Sequence, residues 1–461
     1  MNETRVSSSS FRDPAGFIYE QDGVLYRQIN AGHESAYLQL ESSGLQLELD
    51  RAGLVVPFRS VDIRHAADSR AAIIIEPKAI PLISYPYEWS FSQLKDAGLL
   101  TLEIMRRAVA YDMSLKDASA YNVQFIGCSP IFIDTLSFEK LPEGEPWVAY
   151  KQFCQHFVAP LALMAHCDIR LGNLLRSNID GIPLDLAAKL LPSKTKFNPG
   201  LLTHIHLHAK AQSGPTGSQP ERKPNFSKTS LLALIDSLKG TLNSLTWKPT
   251  GTEWGDYYTD TNYSKESFQN KIDLVNEMLS QVKTNAKTCW DLGANDGTFS
   301  TLALRTGLRT TAWDIDPAAV EKAYLTGKAN KEERLLPLLQ DLSNPSSGIG
   351  WAGEERQSLS DRGPADVALA LALIHHLAIG NNLPLNMVSA YLSRLCRWLI
   401  IEFVPKDDSQ VQRMLVARKD IFKNYTATDF EAAFSQHFEQ MAAKPIAGTK
   451  RTLYLFKNRS L

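Results

Sequence analysis

Cysteine is scarce here and never falls in a CxxC pair. Cys128, Cys154, Cys167, Cys289 and Cys396 are scattered along 461 residues, most of them in apolar segments. That spacing excludes a disulfide framework and fits buried, reduced thiols, as expected of a cytoplasmic protein. An excess of one charge is also missing: 49 Lys and Arg stand against 50 Asp and Glu, a net charge of −1. A domain given over to the nucleic-acid backbone carries a clear basic surplus, so at most a local basic groove remains open. No apolar run reaches the length that spans a bilayer, and the longest, such as Val367 to Ile374, have the length of a buried strand. The opening MNETRVSSSSFRD lacks the apolar core of a signal peptide. What is present is a soluble, globular composition, 44% hydrophobic and 21% charged. At this length a single compact core is excluded and two or three domains are expected.

The most informative stretch is Lys287 to Ser300, KTCWDLGANDGTFS. Thr288, Cys289 and Trp290 read as the end of a buried strand, and Thr298 to Arg305 as a helix. Between them lies Asp291-x-Gly293-x-Asn295-x-Gly297. A strand that turns through glycines into a helix makes a small-ligand cradle, because backbone can approach the ligand and the helix N-terminus offers N–H groups to negative charge. Asn295 stands where a dinucleotide fingerprint has its second glycine. Asparagine is the side chain that best tolerates a left-handed backbone.

Downstream, the chain alternates in the βαβ manner. Thr310 to Asp314 is a second strand, and Asp314 lies about twenty residues past the turn, where an acid can accept both hydroxyls of a ribose. Asp316-Pro317 reads as the cap and first position of the next helix. Leu335 to Leu339 is a third strand, followed by Asp341. Ser343 to Pro364 reads as a polar insertion. Ala365 to Ile374 is a near-continuous apolar strand of the kind buried on both faces of a parallel sheet, ending at His375-His376. Leu395 to Val404 is the fifth strand and carries Glu402, and Thr426 to Phe438 reads as a helix. Two closing strands flank Ala447-Gly448.

The D-x-G-x-N-x-G turn, the strand order and the terminal hairpin resemble class I S-adenosylmethionine-dependent methyltransferases over residues 251 to 461. The resemblance implies an α/β fold: a Rossmann-like sheet with a terminal antiparallel hairpin. It implies S-adenosylmethionine as cofactor, held by Asp291, Gly293, Asn295, Gly297 and Asp314, with Asp341 meeting the adenine amino group or serving as a loop acid. Acceptors bind outside the carboxyl ends of such strands, which singles out His375, His376 and Glu402 as candidate catalytic groups. Adjacent residues on a strand point apart, so one histidine is expected to pack or cap. Glu402 reads either as a base or as a hydrogen bonder in the pocket wall.

In the first half, two alternating runs flank Asp22-Gly23, a hairpin signal. Ala71 to Ile75 is a strand and Ser92 to Ala110 a helix. Asp117 and Asn122 then share a loop before a short hairpin that ends at Asp134. This pattern resembles the catalytic segment of the protein kinase-like fold, an α+β domain. The resemblance implies a proton-accepting Asp117, with Asn122 and Asp134 holding Mg²⁺ against ATP phosphates. The departures are Leu115 at the usual histidine position, Thr135-Leu136 after Asp134, no Gly-rich phosphate loop, and Arg27 where a strand lysine is expected. The other reading is a hairpin whose Asp and Asn cap turns.

Trp147 to Leu207 reads as mostly helical, so His204, His206 and His208 scatter their rings, and no metal is expected. Gln212 to Ser227, rich in Ser, Gly and Pro, reads as a linker. The expected domains are 1–210 (kinase-like), 211–228 (linker) and 229–461 (methyltransferase). Trp254, Tyr257, Tyr258 and Tyr263 precede a helix that starts near Ser264, with Glu266 and Lys271 on its polar faces. They form a lid or pack that helix. YPYEWSFSQLKDA, GEPWVAYKQFCQHF and IEFVPKDDSQVQRM together resemble a family of bacterial two-part methyltransferases related to a rhizobial nodulation protein. Three functions remain: a methyltransferase whose first half presents a small-molecule or saccharide acceptor, a bifunctional kinase-methyltransferase acting on a saccharide or lipid-linked glycan, or a binding scaffold.

Overall fold

The computed structural model describes residues 4–212, 226–249, 263–416 and 420–461. They form two compact units, one of residues 1–248 with 348–356, the other of 249–347 with 357–461.

The first unit begins with a five-stranded antiparallel sheet: β1 (Thr4–Val6), β2 (Gly16–Gln21), β3 (Val24–Asn30), β4 (Phe58–Val61) and β5 (Ala71–Pro77), in the order β1-β2-β3-β5-β4. The β2–β3 turn is Asp22-Gly23, both at positive φ as a two-residue hairpin requires. Helices Glu34–Ser42 and Leu45–Arg51 lie between β3 and β4. Helix Phe91–Ala110 starts at a capping box in which Ser90 and Gln93 satisfy each other's backbone N–H. Two ribbons follow, β6 (Met113–Leu115) with β9 (Phe138–Lys140), and β7 (Val123–Ile126) with β8 (Ser129–Phe132). Helical segments then run to Gln212, and helix Lys228–Ser244 packs on Phe91–Ala110. Residues 348–356 complete this unit: Arg12 makes a two-pronged ion pair with Glu355, and the Arg356 guanidinium lies 4.2 Å over the Tyr121 ring.

The second unit is a seven-stranded sheet of β10 (Thr288–Leu292), β11 (Arg309–Asp314), β12 (Leu335–Leu339), β13 (Ala365–Ala370), β14 (Cys396–Phe403), β15 (Phe438–Pro445) and β16 (Thr452–Asn458). Its order is β12-β11-β10-β13-β14-β16-β15, with five parallel strands and an antiparallel terminal hairpin. Helix Thr298–Arg305 has the expected bounds, and Asp316 caps Pro317–Ala329, its Oδ1 accepting the N–H groups of Ala318 and Ala319. Helix Lys265–Val282 packs Val275, Met278 and Leu279 onto one sheet face, against Val367, Leu369, Ile400 and Leu455. On strands β14 and β16 and helix Ala427–Ser435, Phe403, Phe430, Phe434, Tyr454 and Phe456 interlock with ring centroids 4.3–6.1 Å apart.

Two sequence expectations need correction. β13 ends at Ala370, not Ile374, because Ala372 adopts a left-handed conformation (φ 51°) that no strand can continue through. Lys271 is not on a polar face. It is 4% exposed, in line with Ser267 and Val275 one turn away on either side, and its charge is met by Glu402. Tyr263 packs there as well, whereas Trp254, Tyr257, Tyr258 and most of the expected linker lie outside the described residues. Among the described residues no helix is long and apolar enough to cross a membrane.

Phe430→Ala removes the ring at the centre of the aromatic stack. It is expected to cost about 3–5 kcal/mol of stability, read from urea denaturation of the full chain.

Candidate functional site

After β10 the chain runs Gly293-Ala294-Asn295-Asp296-Gly297, with φ of 79° at Gly293, 47° at Asn295 and 83° at Gly297. A Cβ at Gly293 would meet nothing nearer than Leu373 Cδ1 at 3.5 Å, and one at Gly297 nothing nearer than Ser300 Cβ at 3.9 Å. Conformation, not crowding, therefore demands glycine at both, and the space over them is open.

Asp314, at the end of β11, braces this turn. Its Oδ2 accepts the Asn295 N–H at 2.7 Å and its Oδ1 the Asp316 N–H at 2.8 Å. A carboxylate has about four lone-pair sites, and the backbone donors leave it spare acceptor capacity for a ligand hydroxyl. Burial pushes the Asp314 pKa up to about 6, against the pull of those backbone donors. Asp291, below the turn, is 2% exposed and accepts the Ser300 hydroxyl at 2.7 Å. Burial, with Asp314 nearby, raises its pKa to about 7.

The expectation of free N–H groups at this turn is corrected. Gly293 and Ala294 donate to the Trp313 carbonyl, Asp296 to the Asn295 side chain, and Thr298 to Asp296 Oδ1. A main-chain carbonyl takes two of these donors and short polar side chains of the turn take the other two, so the polar face of the cradle rests on its carboxylates. Ile315, next to Asp314, is 54% exposed and adds an apolar wall that the sequence reading did not single out. Asp341 closes a turn after β12, its Oδ1 accepting the Ser343 N–H at 2.8 Å and hydroxyl at 2.6 Å.

His375 and His376 stand beyond the end of β13, on a helical turn and not on the strand. Alternation does not separate them, and their rings lie 4.2 Å apart. Burial lowers both pKa values, His375 well below the usual range and His376 to about 4, with Arg451 adding to each. Both are therefore neutral near pH 7. The buried Nδ1 of His375 has no hydrogen-bond partner within the protein.

Glu402 is fully buried in an ion network. Its Oε2 lies 2.6 Å from Lys271 Nζ; its Oε1 accepts from Arg451 Nη1 at 3.2 Å and from the Tyr263 hydroxyl. Arg451 also forks onto Asp408 at 2.7 and 3.0 Å. Burial would raise the Glu402 pKa, but Lys271 and Arg451 outweigh it and hold the carboxyl below its ordinary range. Sequence reasoning missed Lys271, Asp408 and Arg451. The one available signal was a charge inside the apolar run LIIEFV, which needs a buried counter-ion.

A cavity of about 560 Å³ in the same unit is lined by Leu383, Asn386, Phe422, Asn424, Asp429 and Gln436, among others. Its lining comes from the start of helix Leu385–Leu395 and the residues just before it, and from the chain leading into and along helix Ala427–Ser435.

In the first unit, the three residues singled out from sequence lie in one polar cluster. Asp134 forms an ion pair with Arg27 and accepts the Ser137 hydroxyl, which in turn accepts from Asn122 Nδ2 at 3.1 Å. Asp117 accepts the Ser119 N–H at 2.8 Å, and its pKa is raised by burial and by the nearby Asp134 and Asp13. Burial opposes ionisation of Asp134, yet Arg27 holds its pKa below the ordinary value. His204 bonds Tyr150 and Ser237, His206 bonds Thr195, and His208 stacks on Tyr150. Among the described residues, no group of three or more His, Cys, Asp or Glu side chains could hold a metal ion.

The sheet order, terminal hairpin and glycine turn of the second unit define a methyltransferase-like fold. No family model matches the chain. It is 35% identical over 461 residues to nodulation protein NoeA of Rhizobium meliloti (strain 1021), an alignment covering 98% of this chain and 95% of that protein. The chain belongs to the NoeA family. Solved structures give weaker likenesses, each covering 44% of this chain. They are the PH0226 protein of Pyrococcus horikoshii OT3 (16% identity, TM-score 0.32, 99% of that chain), the bifunctional kinase-methyltransferase WbdD (15%, 0.31, 42%), and magnesium protoporphyrin IX methyltransferase of Synechocystis PCC 6803 with bound SAH (15%, 0.31, 92%).

The raised pKa values at the cradle fix a pH dependence. Between the unfolded value near 4 and the folded value near 7, folded Asp291 holds the proton more tightly than the unfolded chain does. Stability therefore falls as pH rises through that window, and ionised Asp291 is a penalty above it. Asp291→Asn keeps an acceptor for Ser300 and removes the charge. Its melting temperature relative to the parent is expected to climb from pH 4 to pH 8, measured by calorimetry; a pH-independent difference would contradict the assignment.

Proposed function

We propose that the second unit transfers a methyl group from S-adenosylmethionine to an acceptor held beyond the carboxyl ends of β13 and β14. The observation that carries this reading is the cradle: an open glycine turn at Gly293–Gly297 braced by the Asp314 carboxylate at the end of the neighbouring strand. In it Asp314 grips the ribose hydroxyls, Ile315 lies along the adenine, Asp341 flanks the ring, and the amino-acid end of the cofactor rests over Gly293 to Gly297 near Asp291. Bound there, the cofactor supplies an electrophilic methyl group on a sulfonium.

Alignment is the main demand of such a transfer, with a base needed only when the nucleophile must lose a proton. Of the three candidates, the proposal assigns that part to His375 or His376. Both are neutral acceptors near pH 7, and His375 Nδ1 is buried with no protein partner. Glu402, tied to Lys271, Arg451 and Tyr263, holds the wall of the site instead. The cavity lined by Asn386, Phe422, Asn424 and Gln436 offers room for a small or saccharide acceptor.

The first unit supports a second reading, of a kinase-like fold that has lost phosphoryl transfer. Its β1-β2-β3-β5-β4 sheet and the two ribbons framing Asp117, Asn122 and Asp134 favour the fold. Loss of transfer follows from Arg27, which occupies Asp134 with a fixed positive charge, and from the two-residue Asp22-Gly23 turn, too tight to cover phosphates. The proposed division of labour is an acceptor-binding first unit and a methyltransferase second unit.

Calorimetric titration of the full chain is expected to show S-adenosylmethionine binding, abolished by Gly293→Arg and weakened about 30-fold or more by Asp314→Ala, which loses charged hydrogen bonds. Failure of the parent to bind would remove the reading. His375→Ala is expected to retain cofactor affinity while lowering turnover of labelled methyl into cell extract. ATP with Mg²⁺ is expected to give no binding heat; a saturable signal would restore the bifunctional alternative.

A further inference from the structure

We propose that the segment from Lys189 to Lys210 forms a docking surface for an anionic lipid bilayer. This stretch of the first unit holds Lys189, Lys194, Lys196 and Lys210 and no Asp or Glu, although the chain as a whole is nearly neutral. It comprises the end of helix Leu184–Leu190, the turn Ser193–Phe197, the helical stretch Leu202–Leu207 and helix His208–Gln212. Thr195 Oγ1 meets His206 Nε2 at 2.9 Å, and helix Leu184–Leu190 packs against Leu202–Leu207, so the pieces are held together.

Phe197 stands out on that surface. It is 89% exposed, the highest value among the exposed large hydrophobic side chains of the described residues, and it lies one residue from Lys196 and three from Lys194. Leu190 and Leu207 are also exposed, as are all four lysines.

Three occupants could cover an exposed ring. A protein partner fits poorly, because the buried centre of a protein interface is depleted of lysine, whereas here two lysines sit beside the ring. A nucleic acid would match the charge but leave the leucines against water. An anionic bilayer satisfies both sets of groups. The ring and leucines enter the headgroup–acyl boundary, where aromatic side chains are favoured, and the lysines lay their stems along apolar surface with their charges among the phosphates. Each lysine near such a surface contributes a modest attraction, so the binding is reversible and salt-sensitive. Asp185 lies 3.3 Å from Lys189 in an exposed pair that water and salt largely screen, and Asp168, beyond Cys167 on the Leu190 carbonyl, is held by Arg170.

The test is co-sedimentation of the full chain with vesicles of phosphatidylcholine, alone or with one third phosphatidylglycerol, at low and at molar salt. The expected result is binding to the mixed vesicles only, lost at high salt. Lys194→Glu with Lys196→Glu is expected to weaken it by about 30-fold or more, and Phe197→Ala by about tenfold. The charge-matched control Lys283→Glu with Lys331→Glu, in the other unit, is expected to bind as the parent does. Unchanged melting temperatures establish that the surface variants are folded. Equal binding to both vesicle types, no binding to either, or a control that loses as much as the patch variant would each overturn the proposal.

Discussion

A single carboxylate sets the geometry on which the site depends. Asp314 takes one backbone N–H from the turn after β10 and one from the turn after β11, and so fixes two neighbouring strand ends relative to each other. The Gly293–Gly297 turn needs this brace. Three of its five residues occupy the left-handed region, where a chain without tertiary support has little reason to stay. Burial keeps Asp314 short of solvent, which raises its proton affinity and makes its hydrogen bonds to the backbone stronger. The same residue is thus the strut of the cradle and, in the proposed function, its grip on the ribose.

A second constraint lies a few side chains away. Lys271, Glu402, Arg451 and Asp408 form two positive and two negative charges sealed from water, joined by the Tyr263 hydroxyl. Removing any one member would leave an uncompensated charge in a low-dielectric interior, a cost that pairing of this kind offsets but seldom reverses. Such a quartet therefore says less about net stability than about position. It ties helix Lys265–Val282 to β14 and to the start of the last strand, beside the two histidines.

Much of this was legible in the sequence, for identifiable reasons. The parallel sheet announces itself by the βαβ succession and most plainly by the apolar run from Ala365, covered on both faces, and the closing hairpin by two strands around Ala447-Gly448. Asp316-Pro317 and Asp22-Gly23 are local signals with local causes, and both are found where the residues dictate. The failures share a different origin. Lys271 reads as a surface residue because its partners Glu402 and Arg451 lie far along the chain, and periodicity cannot see a counter-ion. The left-handed Ala372 carries no residue-type signature, so the end of β13 and the orientation of His375 and His376 were misjudged together. The donors of the glycine turn were expected to be free because a fingerprint specifies spacing, not how Asn295 and Asp296 spend their own hydrogen bonds. In the first unit the Asp117, Asn122 and Asp134 trio was legible by spacing, but its capture by Arg27 was not.

The stretch Gly348–Arg356 carries an evolutionary corollary. Nine residues encoded between β12 and β13 are part of the first unit, where Glu355 answers Arg12 and Arg356 covers Tyr121. A recombination event that exchanged either half as a cassette at the Ser- and Pro-rich joint would strand Arg12 without its acid and Tyr121 without its cation. Exchanging either half alone would therefore call for compensating changes at Arg12 and Tyr121.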